Sequence, residues 1–117
     1  LVFEFSGRDG QLTAERMNEL KSVGKYSLTE QERLEISKEF SAGYTCEEDC
    51  FETIKNTFEE YGYLLDTHTA VAYDVACSFN NSKSDDSPTV VLSTASPYKF
   101  TQSVLCAIDG KSPQDAS

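Results

Sequence analysis

No apolar run in this 117-residue sequence approaches the roughly 18 residues that a membrane-spanning helix needs. A basic-then-apolar leader is also missing. The chain begins "LVFEF" without an initiator Met, which reads as a processed chain or an excerpt. Basic residues are few: seven Lys and three Arg, against 20 acids, leave a formal net charge of −10, and they are scattered among carboxylates. A duplex binder gathers phosphate-neutralising side chains on one face, so neither nucleic acid nor an anionic membrane surface is expected as a partner. Histidine is represented by His68 alone, and no Cys/His or Ser/His/Asp arrangement has a recognisable spacing. The six glycines mark helix ends and turns rather than a phosphate loop, and there are no internal repeats.

Apolar residues are also in short supply, at 38% with a mean hydropathy of −0.45. The length suits one domain. So low an apolar share means that part of the surface serves another purpose, or that the chain is part of a larger fold. The four cysteines, Cys46, Cys50, Cys77 and Cys106, sit in helix-like patterns with no dense loop framework, as reduced thiols of a cytoplasmic protein do. Cys46 and Cys50 share a helix face, but no second pair stands at a useful spacing, so no metal is expected. The sequon "NNS" at 80–82 is idle in such a compartment.

What is present is mostly helical. Residues 11–22 carry Leu12, Met17 and Leu20, with Gly24 as a stop. Thr29 and Glu32 make a capping box for a helix with a thin apolar stripe of Leu34, Ile36 and Phe40. Thr45 and Glu48 make another, and the acids Glu47, Glu48 and Asp49 suit a helix N-terminus. Phe51, Ile54, Phe58 and Tyr61 then recur at helical spacing before Gly62. "LVFEF" has strand propensity. Asp66 caps a further helix that is apolar nearly all round from Ala70 to Phe79, a pattern that expects burial on more than one side. "NNSKSDDSP", residues 80–88, reads as a polar loop, and residues 109–117 as a disordered tail.

In "TVVLSTASPYKF", residues 89–93 form an unalternating β-branched run of the kind covered on both faces in a parallel sheet. Ser96 and Pro97 fit an N-cap and first position for a helix to about Ile108. Ser93 and Thr94 come before that cap, at the carboxyl end of the strand, where open α/β sheets bind ligands. A sheet needs several strands and only one good candidate is present. The chain therefore reads as a mostly α-helical piece, with one or two short strands, of a larger α/β protein.

"EEYGYLLDTHTAVAY" followed by "PTVVLSTASPYKF" closely resembles the C-terminal part of threonine synthase. "FSGRDG", "GKYSL" and "FSAGYTCEEDCFETIKNTFEEYG" extend the resemblance over residues 1–108, and it implies the end of a helix at "LVFEF", the reading preferred here to a strand. Thr67 departs from the family, which usually has Pro there; the change should alter helix entry more than chemistry. The resemblance implies an α/β parent fold of the tryptophan synthase β-subunit-like type, the fold type II of pyridoxal-phosphate enzymes. It implies a carbon–oxygen lyase acting on a phosphate ester, turning O-phospho-L-homoserine and water into L-threonine and phosphate. It also implies that the Schiff-base lysine and phosphate loop lie before residue 1, in the remainder of the same polypeptide, so that this stretch is inactive alone. Thr94 first and Ser93 second would face the pyridine nitrogen of pyridoxal 5'-phosphate. His68 and Thr69 would lie near the pocket, and Lys99 is a conceivable anion contact. A competing reading is a stand-alone acidic helical module that binds a partner protein.

Overall fold

The computed structural model describes residues 1–82 and 87–116, which divide into two compact units, residues 1–41 and 42 onward. The first unit holds α1 (Val2–Phe5), α2 (Gly10–Val23) and α3 (Glu30–Glu39). "LVFEF" is thus helical despite its strand propensity. Asp9 caps α2 by accepting from the Leu12 N–H at 2.9 Å, and Gly24 ends it at φ 82°, a conformation that favours glycine.

The capping box at α3 is present: Thr29 Oγ1 accepts from the Glu32 N–H at 3.2 Å, and Glu32 Oε2 accepts from the Thr29 N–H at 2.7 Å. The same Glu32 carboxylate receives both terminal nitrogens of Arg16, each at 2.7 Å. Arg16 and Glu32 are only 6% and 8% exposed, whereas Leu34 and Phe40 of the thin apolar stripe are exposed. Here α3 is tied to α2 by a bidentate ion pair more than by apolar burial. The Phe5 and Phe40 rings meet edge-on at 6.1 Å.

The second unit holds α4 (Glu47–Tyr61), α5 (Thr67–Ser82) and α6 (Thr101–Ile108), with single 3-10 turns at Pro97–Lys99 and Pro113–Ala116. Helix α4 packs against both α5 and α6. Cys50, Ile54, Leu65, Ala70, Val104 and Ala107 form the core between them. The inward stripe of α4 is Cys50, Ile54 and Thr57, so Phe58 and Tyr61 of the expected stripe stand exposed beside it. Gly62 closes the helix at φ 67°.

Several expectations change here. The cap of α4 is Cys46, whose sulfur accepts from the Asp49 N–H at 3.4 Å, while the Thr45 hydroxyl donates to Asp74 on α5. Ser96 caps with its backbone only: its carbonyl accepts from the Lys99 N–H, and the single helix expected from 97 splits into a 3-10 turn and α6. Helix α5 runs through 80–82, where a loop was expected, and residues 83–86 lie outside the described residues. At the other end, the segment 109–117 includes the turn Pro113–Ala116, which packs on α6 and α4.

No strand occurs among the described residues. The expected strand at 89–93 has no ladder, for a strand exists only by pairing with another. Within it Val90 and Leu92 are 81% and 72% exposed, while Val91 between them is half-buried.

Candidate functional site

The two stretches that prompted a functional reading meet at the start of α5. Leu65 is buried in the core, which draws Asp66 inside with it, to 1% exposure. Asp66 Oδ1 accepts from the backbone N–H of His68 at 2.9 Å and of Thr69 at 3.2 Å, and Oδ2 accepts from the Thr69 hydroxyl. Burial by itself would raise the Asp66 pKa. The Thr69 hydroxyl, the two backbone donors and the nearby His68 outweigh it, holding the carboxyl below its ordinary range and ionised.

The first turn of α5 sends its side chains into two different clefts. His68 lies against Phe100, ring centroids 4.8 Å apart and tilted by 39°. Its Nδ1 is 3.3 Å from Thr67 Oγ1 and 3.7 Å from Asp66 Oδ1. It lines an open cleft of about 530 Å³ with Cys46, Cys50, Phe51 and Ser103. Cys50 donates its thiol to the Thr67 carbonyl at 3.4 Å, and burial, then the Asp66 charge, pushes that thiol up to about 11.

Thr69, 4% exposed, lines the other cleft, of about 330 Å³, together with Ser93, Val91 and the tyrosines Tyr61, Tyr63 and Tyr73. A hydrogen bond to Glu60 pushes the Tyr61 phenol up to about 12, and the Cys77 thiol raises Tyr73, so both phenols are neutral donors at ordinary pH. Ser93 and Thr94 are exposed, and neither hydroxyl has a hydrogen-bond partner among the described residues. The structure therefore brings Thr69 to Ser93 and takes His68 away to a separate cleft. Lys99 is exposed in the 3-10 turn.

Sequence reasoning missed the three tyrosines and the burial of Asp66. The spacing of Tyr61 was a signal, but for a core position. Among the described residues no group of three potential ligands could hold a metal, and no helix is long and apolar enough to cross a membrane.

The chain is similar to known proteins. The family model for the C-terminal region of threonine synthase matches residues 69–116. Threonine synthase of Pseudomonas aeruginosa is 36% identical over 97% of this chain and 24% of its own length. Human threonine synthase-like 1 is 30% identical over 96% of this chain and 15% of its own. The crystal structure of threonine synthase from Brucella melitensis, with pyridoxal phosphate bound, superposes with a TM-score of 0.77 and 37% identity, covering 90% of this chain and 22% of that one. The chain spans about a quarter or less of the length of the curated relatives it matches.

The fold is thus a largely helical part of the fold-type II class. Within that class the chain belongs to the threonine synthase family and corresponds to its C-terminal region.

Proposed function

We propose that residues 1–108 form the C-terminal part of the catalytic region of a threonine synthase. The whole protein would convert O-phospho-L-homoserine and water to L-threonine and phosphate as a pyridoxal-phosphate-dependent carbon–oxygen lyase. The observation that carries this reading is that both resembling blocks converge on the start of α5. Thr69 of the first and Ser93 of the second line one cleft, and His68 of the first stacks on Phe100 of the second.

The donor set fits the nitrogen end of the cofactor. A hydroxyl both donates and accepts, and those of Ser93 and Thr94 are exposed and uncommitted among the described residues. No Lys or Arg lines the Ser93 cleft, so its residues suit the ring and not the phosphate. When bound, the cofactor supplies an electron sink for carbanion chemistry. This chain's part is to place Thr94, with Ser93 second, against the ring nitrogen and to form one wall of the pocket. A hydroxyl there, in place of a carboxylate, tempers the sink by leaving that nitrogen largely unprotonated. The lysine that anchors the cofactor and the phosphate cradle belong to the rest of the polypeptide, so the chain is inactive by itself. The four free thiols suit the reducing cytoplasm.

The test is Thr94→Ala in the full-length protein. Cofactor affinity or turnover should fall while the far-ultraviolet dichroism and the melting temperature hold. Unchanged kinetics together with an unchanged visible spectrum would overturn the assignment.

A further inference from the structure

Asp66 is more deeply buried than a helix cap requires. Caps at the surface keep one carboxylate oxygen in water, whereas both oxygens of Asp66 are spent inside the protein on His68 and Thr69. The consequence falls on Thr69. Its only hydroxyl proton is committed to Asp66 Oδ2, so on the side of the tyrosine-lined cleft the oxygen has lone pairs to offer and nothing to give.

We propose that Asp66 is a positioning residue that fixes the Thr69 hydroxyl as an acceptor. The cleft shared by Thr69 and Ser93 would then select a ligand group that donates an N–H. This rests on the reading of Ser93 as part of the ligand pocket and names what that pocket takes at Thr69. An anionic group is disfavoured: no basic side chain lines the cleft, and the Asp66 charge lies directly behind Thr69. The matching chemistry is a protonated nitrogen. With the ring nitrogen left largely unprotonated beside Ser93 and Thr94, that group is the ammonium of the amino-acid substrate.

Two variants of the full-length protein test the proposal. Asp66→Asn keeps the cap, because Asn caps as well as Asp, but its amide nitrogen donates to Thr69 and reverses the hydroxyl. Thr69→Val keeps the shape and deletes the hydroxyl. Two quantities are read: the dissociation constant of pyridoxal phosphate, and KM for O-phospho-L-homoserine at saturating cofactor. Both variants should raise KM by roughly tenfold or more, the size expected for a charge-assisted hydrogen bond, while the cofactor constant holds. A rise in the cofactor constant with KM unchanged would overturn the proposal. Thr69→Ser, which retains the hydroxyl, should restore binding.

Wild-type values of both constants in Asp66→Asn would overturn the proposal, even with kcat lowered, and this variant decides the matter if Thr69→Val does not fold. Thr94→Ala separates the two levels. If it weakens the enzyme while Asp66→Asn is silent, only the Thr69 inference falls; if both are silent, the proposed function falls with it.

Discussion

Thr45 donates its hydroxyl to Asp74 Oδ2 at 2.6 Å, joining the residue ahead of α4 to the middle of α5 across 29 positions of sequence. This bond holds the Thr45 side chain against α5, and the cap of α4 is the next residue, Cys46, a weaker sulfur acceptor.

Thr45→Val removes the donor and leaves a half-buried Asp74 oxygen without it. A loss of about 1–2 kcal/mol is expected for a charge-assisted bond at a partly buried site. Urea denaturation followed by far-ultraviolet dichroism measures it. An unchanged midpoint would mean that water replaces Thr45 at no cost.

Close packing lies just upstream. A Cβ added at Gly43 would stand 2.7 Å from Val75 Cγ1 and 3.2 Å from Cγ2. Valine has one stiff torsion and little room to yield. Gly43→Ala should therefore destabilise the chain by about 1–3 kcal/mol, as overpacking does. Adding Val75→Ala should recover part of that loss. If the double variant is no better than the single one, the contact is not the cause.

The Arg16–Glu32 pair makes stability acid-sensitive. The Arg16 guanidinium, then the Thr29 backbone, lower the Glu32 carboxyl from its usual 4.5 to about 2. A folded-state pKa below the unfolded one contributes stability that is fully present above about pH 4.5 and is lost as pH falls through about 2. Hydrogen exchange of α2 and α3 amides, followed down that range, should show protection fading. In Glu32→Gln the slope should vanish. Protection at neutral pH should drop as well, since Arg16 is left buried without its counter-charge. A Glu32→Gln variant with an undiminished acid slope would place the titration elsewhere.

The thiols should sort by exposure. Cys46 and Cys77 are exposed, whereas Cys50 and Cys106 are buried and Cys50 is held as the thiol by its raised pKa. Iodoacetamide at about pH 8, read by peptide mass spectrometry, should mark Cys46 and Cys77 well before Cys50. Equal rates at Cys50 and Cys77 would contradict the packing of α4 on α5.

What could be read in advance was local. The Thr29–Glu32 box, the glycine stops at Gly24 and Gly62, and the cap at Asp66 are each specified within a few residues, and each formed. Choices that depend on distant partners were not legible. Thr45 looked like a cap because Asp74 is remote in sequence. The thin stripe of α3 gave no sign that Arg16 would hold that helix. His68 and Thr69 are neighbours in the chain; α5 sets them about 100° apart, and the clefts they then meet are completed by remote segments. The segment 89–93 was read as a strand from its own side chains, but a ladder is a property of two segments.

That segment has a consequence for how the protein comes together. The backbone of residues 90–94 makes no backbone hydrogen bond among the described residues. Its donors and acceptors are therefore open to a second extended segment. An open edge is also indifferent to which polypeptide completes it. At the concentrations reached in overexpression, a second copy of the chain would be able to compete for that seam.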